Sequence, residues 1–431
     1  MRIRSAVDMN LSLFAAATAF AQREIVGSGT INCIPVFTGH MKYKILLVLV
    51  LCAFFVAPIF ADFGPITVNC AEGQSLNGTL SKLNKLVPTT VFVKGTCTEY
   101  VTINGFTGLT LIGRPGAALQ QPSTSPTNGL GIHHILIEAS QRITIDGFAV
   151  HSNSSALGAI GIGRNSVDVQ LRDLTLDGAA TFGFFLYEES QVSLARVTVD
   201  DPGYSAVGVF DLSDVHIESS MFESSTGAGY HVGLEVDTGH VTIQSSTIRN
   251  MQIGINVNTK GEVDIQSFNS YYPISLPNDV VIDNPGGTNY EGVKLTAGSH
   301  LNLGNTKLRI PNAAQPGSAE SAAVWVSDGS TLSDQAGNLA ISGSQGQGIL
   351  VTNNSHATLV GSSVTGGSHG GLVVANLSSV SIGSGNQTLF GGNVTDVFCD
   401  SRSLITGSAN FAGVPITNCG NLLSGDTVPL P

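Results

Sequence analysis

Residues 233–248 read GLEVDTGHVTIQSSTI, and the fold is decided by the pattern in this stretch. Its first half places the apolar Leu234 and Val236 at alternating positions. Glu235 and Asp237 occupy the positions in between, so both acids point away from the apolar side, because successive side chains of a strand face opposite ways. After a turn, the second half repeats the alternation. The stretch therefore predicts two short strands, each with one buried apolar face and one solvent-exposed face.

The second half of this stretch has counterparts through most of the chain. Each copy starts with a small residue, after which apolar and polar residues alternate. The copies begin at Ser140, Ser166, Ser190, Ser213, Gly239, Gly261, Gly298, Gly329, Ser355 and Ser378. Most of them begin 22 to 26 residues after the preceding copy, and two longer steps indicate insertions near residues 271–290 and 311–320. Another short strand precedes each copy, as in GFFLYEES, AVGVFDLS and IGINVNTKG.

A repeat of this length, with two or three strands in each unit, favours a parallel β-helix. In that fold each coil stacks about 4.8 Å from the last, and alternate side chains fill an apolar interior. A β-sandwich needs hairpin signals at spacings of about 8–12 residues, and a propeller blade takes about 40–50 residues. The composition agrees with an all-β chain rich in tight turns, since charged residues are only 12% and glycines number 51. A hydrophobic content of 42% argues against disorder.

The N-terminal segment is typical of a secretory leader. Residues 41–61, MKYKILLVLVLCAFFVAPIFA, contain two lysines, an apolar run and a small residue at the exit. We predict cleavage after Ala61, with residues 1–40 as a mis-assigned start. The length of 431 residues would suggest two or three domains, but a repeat array extends one core without dividing it. Residues 62–431 are therefore predicted to form a single domain.

Two other interpretations of the leader remain open. The apolar run could be a membrane anchor, although Pro58 and its length of under about 20 residues argue against one. Residues 1–21 could instead be the signal. Either export signal predicts a secreted, periplasmic or cell-surface protein without a stable membrane span after cleavage.

The charge of the chain limits its partners. The net charge is −12, and loss of the leader makes it more negative. Such a surface repels phosphate backbones, which excludes nucleic acid as a partner. An anionic polysaccharide would need a bridging metal ion. No metal-ligand motif is recognised in the sequence, and the sequence leaves any cofactor requirement undetermined.

The four cysteines outside the leader form two local pairs. We predict disulfides between Cys70 and Cys97 and between Cys399 and Cys419, as suits an oxidising compartment. Pairing across more than 300 residues would require the two ends of the chain to meet. A four-cysteine metal site is the alternative, but the cysteines lack CxxC spacing.

The start of the repeat array resembles a known family. Residues 90–119, TVFVKGTCTEYVTINGFTGLTLIGRPGAAL, are similar to the N-terminal coils of the right-handed parallel β-helix proteins of the pectin-lyase-like superfamily. The resemblance implies a right-handed parallel β-helix of about 10–12 coils, with Cys97 placed for a local cap disulfide. Leucines at helical spacing within residues 75–86 (Leu76, Leu80, Leu83 and Leu86) predict a capping helix over the open end. The superfamily includes lyases, hydrolases, esterases, epimerases and non-catalytic adhesins, so the resemblance implies no single activity.

The short signatures of the enzymes of this fold are incomplete here. A polygalacturonase-like chain should carry NTD, DD, GHG and RIK. This chain has Asp200-Asp201 for DD, but residues 368–371 read SHGG where GHG is expected, and NTD and RIK are missing. An epimerase-like DPH is replaced by DPG at residues 201–203. The sequence alone therefore leaves open whether the protein is an enzyme.

One outward-facing row suggests a binding site. Aligning the strands that precede each repeat places aromatic, acidic, amide and basic residues on one face: Phe185, Tyr187, Phe210, Glu235, Asp237, Asn256, Asn258, Lys294 and Trp325. Aromatic faces stack on sugar rings, and amides and carboxylates bind hydroxyl groups. We therefore predict that Phe185, Tyr187, Phe210, Asn256, Asn258, Lys294 and Trp325 bind a polysaccharide or cell-surface glycan. Asn256 and Asn258 could instead form an amide ladder between coils.

The acidic pair of the opening stretch is the catalytic candidate. Glu235 and Asp237 lie about 6.6 Å apart by Cα on an ideal strand, which overlaps the carboxyl separation of about 6.5–9.5 Å in inverting glycosidases. His231 is a candidate base near them, and His240 follows. The alternative is that Glu235 and Asp237 lie on an ordinary solvent-exposed strand surface and that the two histidines are turn or surface residues.

Two functions are compatible with these observations. The first is a secreted β-helix protein that interacts with carbohydrate, as a relative of polysaccharide lyases or hydrolases. The second is a non-catalytic extracellular adhesin or surface-structure protein, for which the repeats make a rigid rod. A cleft joining Glu235, Asp237, His231 and Lys294 would favour the enzyme.

Overall fold

The computed structural model describes residues 65–411 apart from 124–132, 154–155, 180, 226–229, 268–278, 284–290, 312–320, 384–387 and 408. The predicted leader at residues 1–61 and Cys419 lie outside the described residues, as does most of the two predicted insertions. In the described part, no helix is long and apolar enough to cross a membrane.

The described chain is built almost entirely of short strands. The first thirteen are β1 (Ile66–Asn69), β2 (Thr89–Lys94), β3 (Thr96–Thr98), β4 (Val101–Asn104), β5 (Leu109–Gly113), β6 (Ala118–Gln120), β7 (His133–Glu138), β8 (Gln141–Asp146), β9 (Ala149–His151), β10 (Gly158–Gly163), β11 (Val167–Arg172), β12 (Thr175–Asp177) and β13 (Phe182–Leu186). Between β1 and β2 lie a 3-10 helix (Cys70–Glu72) and the helix α1 (Leu76–Leu80).

The middle of the chain continues with β14 (Gln191–Ala195), β15 (Thr198–Asp200), β16 (Ser205–Phe210), β17 (Asp214–Glu218), β18 (Met221–Glu223), β19 (Val232–Asp237), β20 (His240–Gln244), β21 (Thr247–Arg249), β22 (Ile253–Asn258), β23 (Glu262–Ile265), β24 (Val280–Asp283), β25 (Glu291–Leu295) and β26 (His300–Leu303).

The last strands are β27 (Leu308–Pro311), β28 (Ala322–Val326), β29 (Thr331–Asp334), β30 (Leu339–Ser342), β31 (Gln347–Val351), β32 (His356–Leu359), β33 (Ser363–Thr365), β34 (Gly370–Val374), β35 (Ser379–Ile382), β36 (Leu389–Gly391), β37 (Thr395–Cys399), β38 (Leu404–Gly407) and β39 (Asn410–Phe411).

These strands form three parallel sheets. The first sheet has the order β1-β2-β5-β8-β11-β14-β17-β20-β23-β26-β29-β32-β35-β38. The second has the order β4-β7-β10-β13-β16-β19-β22-β25-β28-β31-β34-β37, and the third β3-β6-β9-β12-β15-β18-β21-β24-β27-β30-β33-β36-β39. Each strand thus pairs with the strand one coil away in its own sheet. The prediction of an all-β parallel β-helix of about 10–12 coils is confirmed by the twelve strands of the second sheet.

The core is a set of apolar columns that run along the solenoid. Leu234, for example, is paired in register with Val207 on one side and Ile255 on the other, and all are fully buried. Stacking equal positions of successive coils puts like residues in contact, which explains the alternation in the sequence. Burial of each such side chain contributes about 1.5–3 kcal/mol.

The small residue at the corner of each coil has a structural reason; in two coils it is Ser299 or Ser330, one residue after the predicted starts Gly298 and Gly329. Ser166 is buried at a corner between sheets, and its hydroxyl accepts a hydrogen bond from the backbone N–H of Ser140 at 3.3 Å. Ser213 accepts in the same way from the N–H of Ser190 at 3.2 Å. A larger residue would not fit this corner, and a small apolar one would lose the hydrogen bond.

The N-terminal end is closed as predicted, but by a shorter helix. Leu76 and Leu80 of α1 are buried, and Leu83 packs partly against the core. Leu86, however, is 76% exposed, so the prediction that it packs is wrong. The helix ends at Leu80, and beyond it Asn84 accepts a hydrogen bond from the N–H of Leu86 at 3.1 Å in a local turn.

The cap is also held by side chains and a disulfide. Glu99 accepts hydrogen bonds from Ser75 Oγ at 2.7 Å and from the N–H groups of Leu76 and Asn77 at 2.6 and 3.1 Å. Cys70 and Cys97 form the predicted disulfide.

At the other end, Cys399 is disulfide-bonded. The partner predicted for it, Cys419, is outside the described residues.

Candidate functional site

The outward face of the second sheet carries the residues that the sequence aligned. Pairing in register gives one row of twelve residues: Thr102, Leu136, Gly161, Phe185, Gly208, Glu235, Asn256, Lys294, Trp325, Leu350, Val373 and Phe398. A second row, two residues further along each strand, includes Phe210, Asp237 and Asn258, and Tyr187 directly follows β13. The structure thus places the predicted residues on one face, but in two rows. Gly208, rather than Phe210, precedes Glu235.

Seven ring-bearing residues of this face contact one another, and we call them the aromatic platform: His133, Phe182, Phe185, Tyr187, Tyr204, Phe210 and Tyr230. Phe185 lies with its ring centroid 5.5 Å from that of His133, 5.0 Å from Phe182 and 5.2 Å from Phe210. Tyr204 stacks on Tyr230 at 5.6 Å with an interplanar angle of 14°. The ring contacts form an unbroken series across the coils that contain strands β7 to β19.

Glycines in the strands make room for these rings. A Cβ on Gly161 would lie 2.4 Å from the ring of His133, and a Cβ on Gly163 would lie 2.3 Å from the ring of Tyr187. At Gly208 the nearest atoms would be Cε2 of Phe210 at 2.6 Å and two ring carbons of Phe182 at 2.8 Å. The rings therefore lie directly against the backbone of the sheet.

Glu235 lies at one end of the platform and is only 8% exposed. Its Oε2 accepts a hydrogen bond from the hydroxyl of Tyr204 at 2.9 Å. Its Oε1 accepts from the side-chain amides of Asn256 and Asn258 at 3.3 and 3.2 Å. Burial raises the pKa of the Glu235 carboxyl, and these hydrogen bonds partly offset the rise. The two asparagines therefore bind a carboxylate instead of forming the amide ladder.

The other catalytic candidates are placed differently. Asp237 is half-buried and lies beside Glu235, whose pKa its negative charge raises further. Its Oδ1 is buried without a hydrogen-bond partner. His231 is half-buried immediately before β19. His240 belongs to the first sheet and not to this face: it binds Asp214 at 2.8 Å and Asp264 at 3.4 Å.

Lys294 and Trp325 extend the row beyond Glu235. Lys294 Nζ lies 4.7 Å from the centroid of the Trp325 ring, within the range of a cation–π contact. The Trp325 indole N–H donates to Thr352 Oγ1 at 3.3 Å. Lys294 Nζ also lies 3.6 Å from Glu291 Oε2, and burial raises the pKa of Glu291. The predicted Lys294 is thus paired with a carboxylate.

The opposite end of the platform resembles the Glu235 end. Glu138 is 7% exposed, and its Oε1 accepts a hydrogen bond from the Tyr187 hydroxyl at 3.2 Å. Arg164 Nε lies 3.1 Å from the same oxygen. Burial raises the pKa of Tyr187 to about 12, with a further contribution from the charge of Glu138. Each end of the platform therefore has a buried glutamate bound to a tyrosine hydroxyl.

Five residues of this face were missed by sequence reasoning: Glu138, His133, Phe182, Tyr204 and Tyr230. Tyr204 and Tyr230 precede their strands, where alternation along a strand makes no prediction. A signal was available, because a Gly-Tyr pair occurs at residues 203–204 and again one repeat later at 229–230. Such a pair recurring about one repeat later indicates two side chains that lie close together on successive coils.

An acidic recess borders the platform. It has a volume of about 640 Å³ and is formed by the turns after the platform strands: Asn165, Glu188, Glu189, Asp211, Leu212 and Thr238. The residues of these turns have left-handed backbone, with φ of 54° at Glu188, 57° at Glu189 and 51° at Asp211. Two consecutive left-handed residues make the tight corner that leads to the first sheet.

No protein-family model and no curated protein matches the chain. It is similar to a solved structure of PfbA, a surface adhesin of Streptococcus pneumoniae (12% identity, TM-score 0.33, 84% of this chain and 96% of that one). A second structure of this S. pneumoniae surface protein and adhesin gives 15% identity, a TM-score of 0.32 and coverage of 76% and 91%. A family 28 exopolygalacturonase of Yersinia enterocolitica has 8% identity and a TM-score of 0.24, with coverage of 82% of this chain and 78% of that one. The fold itself is established by the strand register, independently of these similarities.

Proposed function

We propose that the protein binds a carbohydrate chain on the aromatic platform, outside the cell. The observation that carries this proposal is the continuous series of ring contacts on one outward face. Ring faces pack against the C–H faces of sugars. The disulfide between Cys70 and Cys97 supports an oxidising, extracellular compartment.

Tyr230→Ala tests the proposal with little risk to the fold, because Tyr230 is 48% exposed. We expect this variant to bind glycan about tenfold more weakly, which corresponds to the loss of about 1.4 kcal/mol of contact with one ring. Isothermal titration calorimetry with the best ligand from a glycan array measures the change. Met221→Ala, which removes an exposed apolar side chain from the third sheet, is the control and should bind normally. Equal affinity in Tyr230→Ala and the parent would reject the platform as the binding surface.

A second candidate function is hydrolysis of the bound chain by Glu235 and Asp237, with His231 as a further candidate base. It is favoured by one observation: burial raises the pKa of Glu235 beside the charge of Asp237. A carboxyl with a raised pKa can protonate a leaving group, and a neighbouring carboxylate can activate water. The two groups would then act on a glycosidic bond held at the end of the platform.

Glu235→Gln separates binding from turnover. If Glu235 is the acid, we expect a loss of turnover of about 10²–10⁴-fold, with glycan affinity changed by about threefold or less. Glu262→Gln, on the exposed face of the first sheet, is the matched control. Release of reducing ends from the bound glycan gives the rate. Undiminished release in Glu235→Gln removes Glu235 from catalysis, and no release by the parent protein leaves binding as the function.

A further inference from the structure

We propose that the platform takes a neutral oligosaccharide that lies along the solenoid axis, and that it excludes chains carrying uronic-acid or sulfate groups. This inference rests on the proposed function and specifies its ligand by length, direction and charge. It follows from three features of the platform: its extent, its bed of glycines and the charges around it.

The extent of the platform sets the length of the ligand. Its ring contacts begin at His133 on β7, but His133 is only 6% exposed, and the first ring that a ligand can reach is Phe185 on β13. From β13 the accessible rings continue over β16 to Tyr230, just before β19, which is two inter-strand spacings. At about 4.8 Å each, this is about 10 Å along the axis. A single sugar ring would cover only part of it.

The glycines beneath the platform bear on the direction in which the ligand lies. Because Gly161, Gly163 and Gly208 leave the strands without side chains, the rings lie against the sheet and form a continuous surface from coil to coil. Along the strands the surface ends at the turns, where Glu188 directly follows Tyr187 and Asp211 directly follows Phe210. An extended chain that runs along the axis therefore stays on the rings from coil to coil.

The charges around the platform decide the class of sugar. Carboxylates lie at its ends and along the bordering recess: Glu138, Glu235, Asp237, Glu188, Glu189 and Asp211. Two neighbouring cations are already matched, because Arg164 contacts Glu138 at 3.1 Å and Lys294 contacts Glu291 at 3.6 Å. A uronic acid or sulfate would therefore be repelled by the exposed carboxylates of Glu188, Glu189 and Asp211. A neutral sugar carries no charge and is not repelled.

The first test uses the secreted protein and an array of immobilised glucans, mannans, galactans, xylans, polyuronates and sulfated chains, each in a series of lengths. We expect the strongest binding among the neutral chains, with affinity rising about tenfold or more from the monosaccharide to the longest oligomer before it levels off. Strongest binding to polyuronate or sulfated chains overturns the inference but keeps the proposed function. Equal affinity for monosaccharide and oligomer overturns the axial ligand, and no binding to any chain overturns the proposed function itself.

The second test removes the charge of the recess. The triple variant Glu188→Gln, Glu189→Gln, Asp211→Asn changes exposed turn residues only. At low salt we expect its affinity for polyuronate to rise by about threefold or more, because repulsion between exposed charges is screened within about 10 Å at 0.1 M salt. Its affinity for the neutral chain should stay the same. Unchanged polyuronate affinity would show that charge does not select the ligand.

Discussion

Lowering the pH from 6.5 to 4 is expected to remove about 5 kcal/mol from the free energy of unfolding. His133 and His134 are buried at the start of β7, and burial lowers the pKa of each from 6.5 to about 4. Between these values the unfolded chain binds a proton at each histidine and the folded chain does not. Stability therefore falls as the pH falls. Each histidine contributes about 2.5 kcal/mol to this loss.

Urea unfolding at a series of pH values measures this effect. Since domains have total stabilities of about 5–15 kcal/mol, the protein should be close to unfolding at pH 4. His134→Gln removes one of the two groups and should reduce the slope between pH 4 and 6.5 by about half. His300→Gln, at an exposed position of the first sheet, should keep the full slope. An unchanged slope in His134→Gln would assign the acid sensitivity to other groups.

The same titration should show that the free energy of unfolding also falls at alkaline pH, because the pKa of His240 is raised in the folded state and not lowered. Hydrogen bonds from His240 to Asp214 and Asp264 raise the pKa of His240 to about 10. Its charged form is favoured in the folded state, so its contribution is complete below pH 6.5 and is lost as the pH rises through 10. His240→Gln should flatten this alkaline side and, because His240 also lowers the pKa of Asp214 and Asp264, it should reduce the further loss of stability below pH 3.8, while the slope between pH 4 and 6.5 stays the same.

Gly208→Val is expected to disrupt the aromatic platform and weaken glycan binding by about 100-fold, the loss of a binding hot spot. The new Cβ would lie 2.6 Å from Phe210 and 2.8 Å from Phe182, so both rings must move away from the sheet. Overpacking of this kind also lowers the free energy of unfolding by about 1–3 kcal/mol. Near-ultraviolet circular dichroism reports the ring packing, and calorimetry reports the affinity.

Ser193→Val is the matched control for Gly208→Val. It adds a β-branched side chain at an exposed position of β14 in the first sheet, where a valine should be tolerated. We expect it to bind glycan normally and to keep the aromatic dichroism of the parent. If Gly208→Val loses the aromatic signal but keeps its affinity, the platform is not the binding surface.

The fold was predictable because its signal is repeated. The alternation of Leu234 and Val236 with acids means little in one strand, but the same spacing in ten copies fits only coils stacked in register. The position of Glu235 on the outward face followed from the same alternation. The register also explains why the sequence alignment needed shifts: Phe210 pairs with Asp237, and Glu235 pairs with Gly208.

The environment of that face was not predictable in the same way. Nothing in the alternation indicates that Glu235 is buried, since its burial depends on Tyr204, which precedes β16 and reaches its carboxylate from the preceding coil. The role of Gly208, which makes room for the rings of Phe182 and Phe210, was also not predictable, because one glycine does not change the alternation within its own strand. Both depend on contacts between coils, which are set by turn geometry.

The coil-to-coil register has a consequence for how such a protein can change in evolution. Ser190 and Ser213 occupy equivalent corners, so deleting residues 190–212 would remove one whole coil and return the chain to register. Deleting half as many residues would turn apolar side chains outward. Gene duplication or loss of whole coils can therefore lengthen or shorten the solenoid in steps of about 4.8 Å, and the reach of its ligand-binding face with it.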